Sequence, residues 1–85
     1  MIVKCADCGL ETEDVRIVKD IEFCKKCGDD FQTLLEEVSL DALILEGDIK
    51  MKKVGSTWWA QCPGYDLSES GDTPTEAVEA LREEL

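Results

Sequence analysis

Two Cys-x-x-Cys segments, CADC at residues 5–8 and CKKC at residues 24–27, decide how the N-terminal part of this chain folds. Two residues between the cysteines of a pair let one tight turn aim both sulfurs at a single ion, and the fifteen residues between the pairs leave room for a hairpin. Four thiolates suit a tetrahedral zinc ion and enclose it completely. The sequence therefore predicts one structural Zn²⁺ ion bound by Cys5, Cys8, Cys24 and Cys27.

Other uses of the cysteine pairs stay open at this point. Four thiolates also bind iron, and the two pairs could instead be redox-active dithiols or disulfides. The chain reaches Cys5 without the apolar stretch of a secretion signal, and no apolar run approaches the roughly 20 residues of a membrane span. We therefore expect a cytoplasmic protein with no membrane partner, in a compartment where paired cysteines usually bind metal.

The net charge of the chain limits the kinds of partner that it can bind. The 85 residues carry 20 acidic and 9 basic side chains, a formal net charge of −11, and four thiolates around one divalent ion add about −2 more. Such a chain repels phosphate backbones, so we expect no direct binding of nucleic acid and, instead, a basic protein partner. A core this small could also be completed by self-association, which makes a homo-oligomer the other option.

The first half contains a hairpin pattern followed by a helix pattern. The β-prone runs at residues 15–18 and 21–23 predict a hairpin, and Phe31, Leu34, Leu35 and Val38 recur at helical spacing. Whether that helix ends near Val38 or continues past Ala42 stays open. This half resembles the treble-clef and zinc-ribbon fingers with four cysteine ligands, in which a knuckle and the first turn of a helix each supply two ligands.

The second half has a different pattern. Alternation around Ile49 and Met51 and the run at residues 57–62 predict a hairpin, and residues 66–70 suit a third short strand. Residues 73–76, Thr-Pro-Thr-Glu, are typical of a helix start, and the helix is expected to run to the C-terminus. The sequence thus predicts an α+β protein with a four-cysteine zinc module at residues 1–45 and a β-β-β-α module at residues 46–85.

The C-terminal module resembles the HicB-like antitoxin family. The residues that carry the resemblance form the pattern Ala-x-x-Pro, then Gly-x-Thr-x-x-Glu-Ala, and are Ala60, Pro63, Gly71, Thr73, Glu76 and Ala77. The resemblance implies a β-β-β-α unit that binds and masks a basic, RNA-cleaving toxin.

Three aromatic side chains are the candidate partner contacts: Trp58, Trp59 and Tyr65. Trp58 and Trp59 are adjacent on a strand, so they point to opposite faces and only one can lie under the helix. A closed zinc shell has no position for a substrate, and no histidine is present to activate Cys62. We therefore expect a non-enzymatic protein-interaction protein. The alternatives are a zinc-stabilised domain of unrelated function and a thiol redox protein that uses its Cys-x-x-Cys pairs.

Overall fold

The chain forms seven short strands and two helices, and the computed structural model describes all residues from 1 to 85. All strand pairs are antiparallel, which confirms the α+β class. The elements, in chain order, are β1 Val3–Lys4, β2 Glu11–Thr12, β3 Val15–Val18, β4 Ile21–Cys24, α1 Lys25–Ala42, β5 Lys50–Val54, β6 Thr57–Cys62, β7 Leu67–Gly71 and α2 Pro74–Glu84. Short 3-10 turns at Glu46–Asp48 and Pro63–Tyr65 connect α1 to β5 and β6 to β7.

The hairpin of β3 and β4 occurs where the sequence predicts it. Val18 pairs with Ile21, so Lys19 and Asp20 alone form the loop. Both loop residues have positive φ angles, 52° and 64°, and a two-residue loop of this kind matches the right-handed twist of the strands it joins. The hairpin therefore returns β4 beside β3 and delivers Cys24 at its end.

Helix α1 continues through Ala42, which settles the end that the sequence left open. Phe31, Leu35 and Val38 are fully or almost fully buried, and the rings of Phe23 and Phe31 lie 4.8 Å apart between centroids. Burial of side chains of this size contributes about 1.5–3 kcal/mol each. The helix is therefore held to the β3–β4 hairpin mainly by its apolar face.

Strands β5, β6 and β7 form one antiparallel sheet in that order, and α2 covers one of its faces. Ala60 and Cys62 point toward the helix, where Val78 and Leu81 are completely buried. The predicted β-β-β-α order of this half is therefore observed. Thr73 caps α2 as expected, because its Oγ1 accepts a hydrogen bond of 3.1 Å from the Glu76 amide.

The buried side chains of the two halves form a single cluster. It contains residues as far apart in sequence as Cys5 and Leu81. Helix α1 also packs against α2, where the Arg82 guanidinium bridges Glu37 at 3.1 Å and Asp41 at 2.8 Å. The division into two modules between residues 45 and 46 thus stays a prediction. The side chains on either side of this boundary pack into one core.

Candidate metal centre

The first cysteine pair lies in the turn between β1 and β2. The Cys5 amide donates to the Leu10 carbonyl at 2.8 Å, and the Gly9 amide donates to the Cys5 carbonyl at 3.0 Å. Gly9 has a φ angle of 80°, a backbone conformation that glycine adopts without steric cost. This tight turn brings Cys5 and Cys8 to the same side of the chain.

The second pair lies at the junction of β4 and α1. Cys24 is the last residue of β4 and the N-cap of α1, while Cys27 lies in the first helical turn. The positive end of the helix dipole stabilises thiolates at such positions. The strand therefore fixes one sulfur and the helix fixes the other.

The structure brings the four predicted sulfurs together. All four Sγ atoms lie within 4.8 Å of one another, and the Sγ atoms of Cys8 and Cys24 are 3.7 Å apart. Four sulfurs arranged tetrahedrally at about 2.3 Å from a zinc ion are about 3.8 Å from each other. We call this group, Cys5, Cys8, Cys24 and Cys27, the cysteine cluster. It could hold a metal ion, and no disulfide links any of its members.

The thiol of Cys5 ionises more readily than an ordinary cysteine thiol. Its burial raises the pKa, but backbone hydrogen bonds from Cys8, Cys24 and Asp7 outweigh burial and lower the pKa to about 6. The Asp7 and Cys8 amides lie 3.4 and 3.5 Å from the Cys5 sulfur. Cys5 therefore supplies a thiolate to the cluster near neutral pH.

Burial and neighbouring sulfurs oppose the ionisation of Cys27 and Cys8. Burial and hydrogen bonds with Cys24, Cys8 and Cys5 raise the pKa of Cys27. The pKa of Cys8 is also raised: the Leu10 amide and the Cys27 thiol lower it, but the Cys5 sulfur, slight desolvation and the Cys24 sulfur raise it by more. Several thiolates this close repel one another unless a cation lies between them. The cluster thus has the electrostatics of a cation site.

Two residues that support the cluster are not evident from the sequence motif. The Asp7 carboxylate accepts a hydrogen bond of 3.4 Å from the Thr75 amide, which joins the first cysteine turn to the start of α2. Gly28 is buried, and its Cα faces Arg16 on β3 so closely that a Cβ would lie 2.7 Å from Arg16 Cβ. The only sequence signal for this close approach is that Gly28 directly follows Cys27.

The three aromatic candidates do not share a surface. Trp58 pairs across the sheet with Lys53 and packs against the core, whereas Trp59 pairs with Lys52 on the opposite face. Tyr65 is 45% exposed in the turn after β6, and its hydroxyl donates to the Ala42 carbonyl at the end of α1. The structure thus confirms that the two tryptophans point apart, and it places Tyr65 elsewhere.

Trp58 lines an open cleft of about 430 Å³ between the cysteine turns and the sheet. The Lys53 ammonium lies 5.4 Å from the centre of a Trp58 ring, within the range of a cation–π contact. Cys62 is completely buried, more than the half-buried thiol that its position before a turn predicts. Neither helix has both the length and the apolar character that crossing a membrane requires.

Comparisons with protein-family models, with curated proteins and with solved structures gave no match. A function must therefore be inferred from the cysteine cluster and from the charges and exposed side chains of the surface.

Proposed function

We propose that the cysteine cluster binds one structural zinc ion and that the folded chain acts as a non-enzymatic protein that binds a basic protein partner. The observation that carries the metal assignment is the approach of all four Sγ atoms to within 4.8 Å of one another. Zinc is the usual ion for two Cys-x-x-Cys pairs of this spacing, and four protein ligands leave it no open position for a substrate.

Charge supports the choice of partner. The chain carries a net charge of −11, and the exposed acidic residues include several on both helices, among them Glu36, Glu79 and Glu83. A field of this sign accelerates association with basic proteins and opposes association with nucleic acid. In the form suggested by the resemblance to HicB-like antitoxins, the partner is an RNA-cleaving toxin, and the chain masks it.

Metal content and thiol count test the first part of the proposal. We expect one zinc per chain by elemental analysis and no disulfide when the protein is denatured in the presence of a thiol-alkylating reagent. The control is Cys62→Ala, which removes a cysteine outside the cluster without burying a hydroxyl in the core and should leave the zinc content unchanged, whereas Cys24→Ser should lose the metal. Iron in place of zinc, or metal-free protein with paired disulfides, would replace the zinc model by one of its alternatives.

Recovery of the partner tests the second part. The protein is isolated at low salt from the cells that produce it, and co-purifying proteins are identified and purified. We expect a small basic protein whose RNA-cleaving activity is lost when the chain is added in equal amount. Co-purification of an acidic protein, or a basic one whose activity the chain leaves unchanged, would refute the antitoxin-like function.

A further inference from the structure

Four large apolar side chains at or beside the end of α1 are exposed. Leu40 is 76% exposed, Leu43 91%, Leu45 75% and Tyr65 45%. The Tyr65 hydroxyl donates to the Ala42 carbonyl, so Tyr65 lies beside the helix end that carries Leu40 and Leu43. We call these four residues the apolar patch. Large groups of neighbouring exposed apolar side chains are uncommon on soluble proteins and usually mark a site of interaction.

The backbone conformation at Leu43 is unfavourable for leucine, so the fold gives no structural reason for a leucine at this position. Leu43 has a φ angle of 55° at the end of α1, in the left-handed region. Its amide donates to the Leu40 carbonyl, and the Ile44 amide donates to the Ser39 carbonyl. Glycine is the residue that usually occupies this position of such a helix end, because a Cβ is unfavourable there.

Neighbouring residues supply the packing that the helix end needs. Ile44, not Leu43, packs against the core after α1. Leu43 thus combines an unfavourable backbone conformation with a side chain left in solvent, and neither stabilises the chain by itself. Strained residues that a fold retains without a structural benefit are concentrated at binding sites.

The charges around the apolar patch determine what kind of partner fits it. Glu36 lies one helical turn before Leu40, Asp48 follows Leu45 and Asp66 follows Tyr65, and all three acids are exposed. Of the nearby cations, Arg82 is bound by Glu37 and Asp41 and Lys19 donates to the Glu46 carbonyl, whereas Lys50, two residues after Asp48, is exposed, so the three exposed acids outnumber the exposed cation. The patch is therefore apolar at its centre and acidic at its edge.

We propose that the apolar patch is the docking site for a basic amphipathic segment of a partner protein, with the partner's apolar side chains on Leu40, Leu43 and Leu45 and its lysines or arginines facing the acidic edge. This inference rests on the proposed function, since it gives the basic partner a place to bind. A second copy of the chain fits less well, because each copy carries a charge of −11 and a symmetric contact would bring two acidic edges together.

Binding of designed peptides to the purified protein tests the proposal without the natural partner. The first peptide has leucine at helical spacing and lysine elsewhere, and its matched control has glutamate in place of lysine. We expect the lysine peptide to bind by fluorescence anisotropy, more weakly as salt is raised, and the glutamate peptide not to bind.

The variant Leu43→Gly separates binding from folding. It should weaken binding of the lysine peptide about tenfold and at the same time raise the melting temperature by about 4 °C, because glycine suits the left-handed position. Leu40→Ala should also weaken binding while it keeps the helix. The control Ile17→Thr removes an equally apolar side chain, 65% exposed on β3, and should leave binding unchanged.

The other outcomes each overturn a defined part of the proposal. Peptide binding that is unaffected by Leu43→Gly and Leu40→Ala would leave the proposed function standing and refute the apolar patch as its site. A chain that binds neither peptide would refute the apolar patch as the docking site of a basic segment, while recovery of the partner decides the proposed function separately. Dimerisation of the chain alone, seen by analytical ultracentrifugation and abolished by Leu43→Gly, would assign the patch to a second copy and overturn the basic segment.

Discussion

Replacement of Gly28 by alanine tests whether the first turn of α1 must lie directly against β3. A Cβ at this position would lie 2.7 Å from Arg16 Cβ and 2.9 Å from Arg16 Cγ and Cδ. Ordinary contacts of a Cβ atom begin near 3.4 Å, so the helix and the strand would have to separate by about 0.7 Å. The Arg16 Cβ is fixed by its backbone and cannot rotate away.

The expected size of the effect follows from two opposing contributions. Alanine favours a helix over glycine by about 1 kcal/mol, whereas overpacking a buried contact costs about 1–3 kcal/mol. Since the closest atom is attached to the backbone, we place the overpacking cost in the upper part of that range. The net loss of stability is about 1–2 kcal/mol, which lowers the melting temperature of a chain this short by roughly 4–16 °C.

Thermal unfolding at a fixed excess of zinc, followed by circular dichroism, measures this loss. The matched control is Gly47→Ala, because a Cβ at Gly47 meets no atom within 4 Å. That substitution should be neutral or stabilise the chain by up to about 1 kcal/mol. If Gly28→Ala melts at or above the temperature of the unsubstituted protein, the close approach of α1 to β3 is refuted.

Three further predictions concern the metal and the helix cap. Removal of zinc with a strong chelator should unfold the chain, seen as loss of helical circular dichroism that returned zinc restores, because structural zinc contributes about 10–16 kcal/mol in small fingers. Zinc affinity should fall by at least about a hundredfold per unit as pH drops from about 8 to 6, because the pKa values of Cys8 and Cys27 are raised and binding must expel at least the protons of these two thiols. Competition with a chromophoric chelator measures the affinity. Thr73→Ala should lower the unfolding free energy by about 1 kcal/mol in denaturant titrations, whereas Thr33→Ala, on the exposed side of α1, should change it little.

Local patterns in the sequence predicted the individual elements well. The spacing of the cysteines predicted the cysteine cluster, which the structure confirms as a group of four close sulfurs. The runs at residues 15–18 and 21–23 predicted the β3–β4 hairpin, and Thr73 with Pro74 predicted the start of α2. Each of these signals acts over a few neighbouring residues, where chain geometry alone decides the outcome.

The packing of the two halves could not be predicted in this way. It depends on contacts such as Asp7 with Thr75 and Arg82 with Asp41, whose partners are separated by 68 and 41 positions. An acidic chain offers many carboxylates to one arginine, and no periodicity selects among them. The exposure of Leu43 could not be predicted from the sequence either, because residues in an apolar stretch are ordinarily assigned to the core.

The shared core determines how far the loss of zinc should spread. Cys5 and Cys24 are members of the same buried cluster as Val78 and Leu81 of α2, and Asp7, between the first two cysteines, holds the first turn of that helix. If the cysteine turns lose their ion, the surface that covers α2 and β6 is lost as well. Residues 46–85 alone are near the size of about 40 residues below which a domain usually needs a metal, disulfides or a partner to stay folded. A metal ion bound by the cysteine cluster would thus stabilise residues 46–85 through the core, although none of the four cysteines belongs to that half.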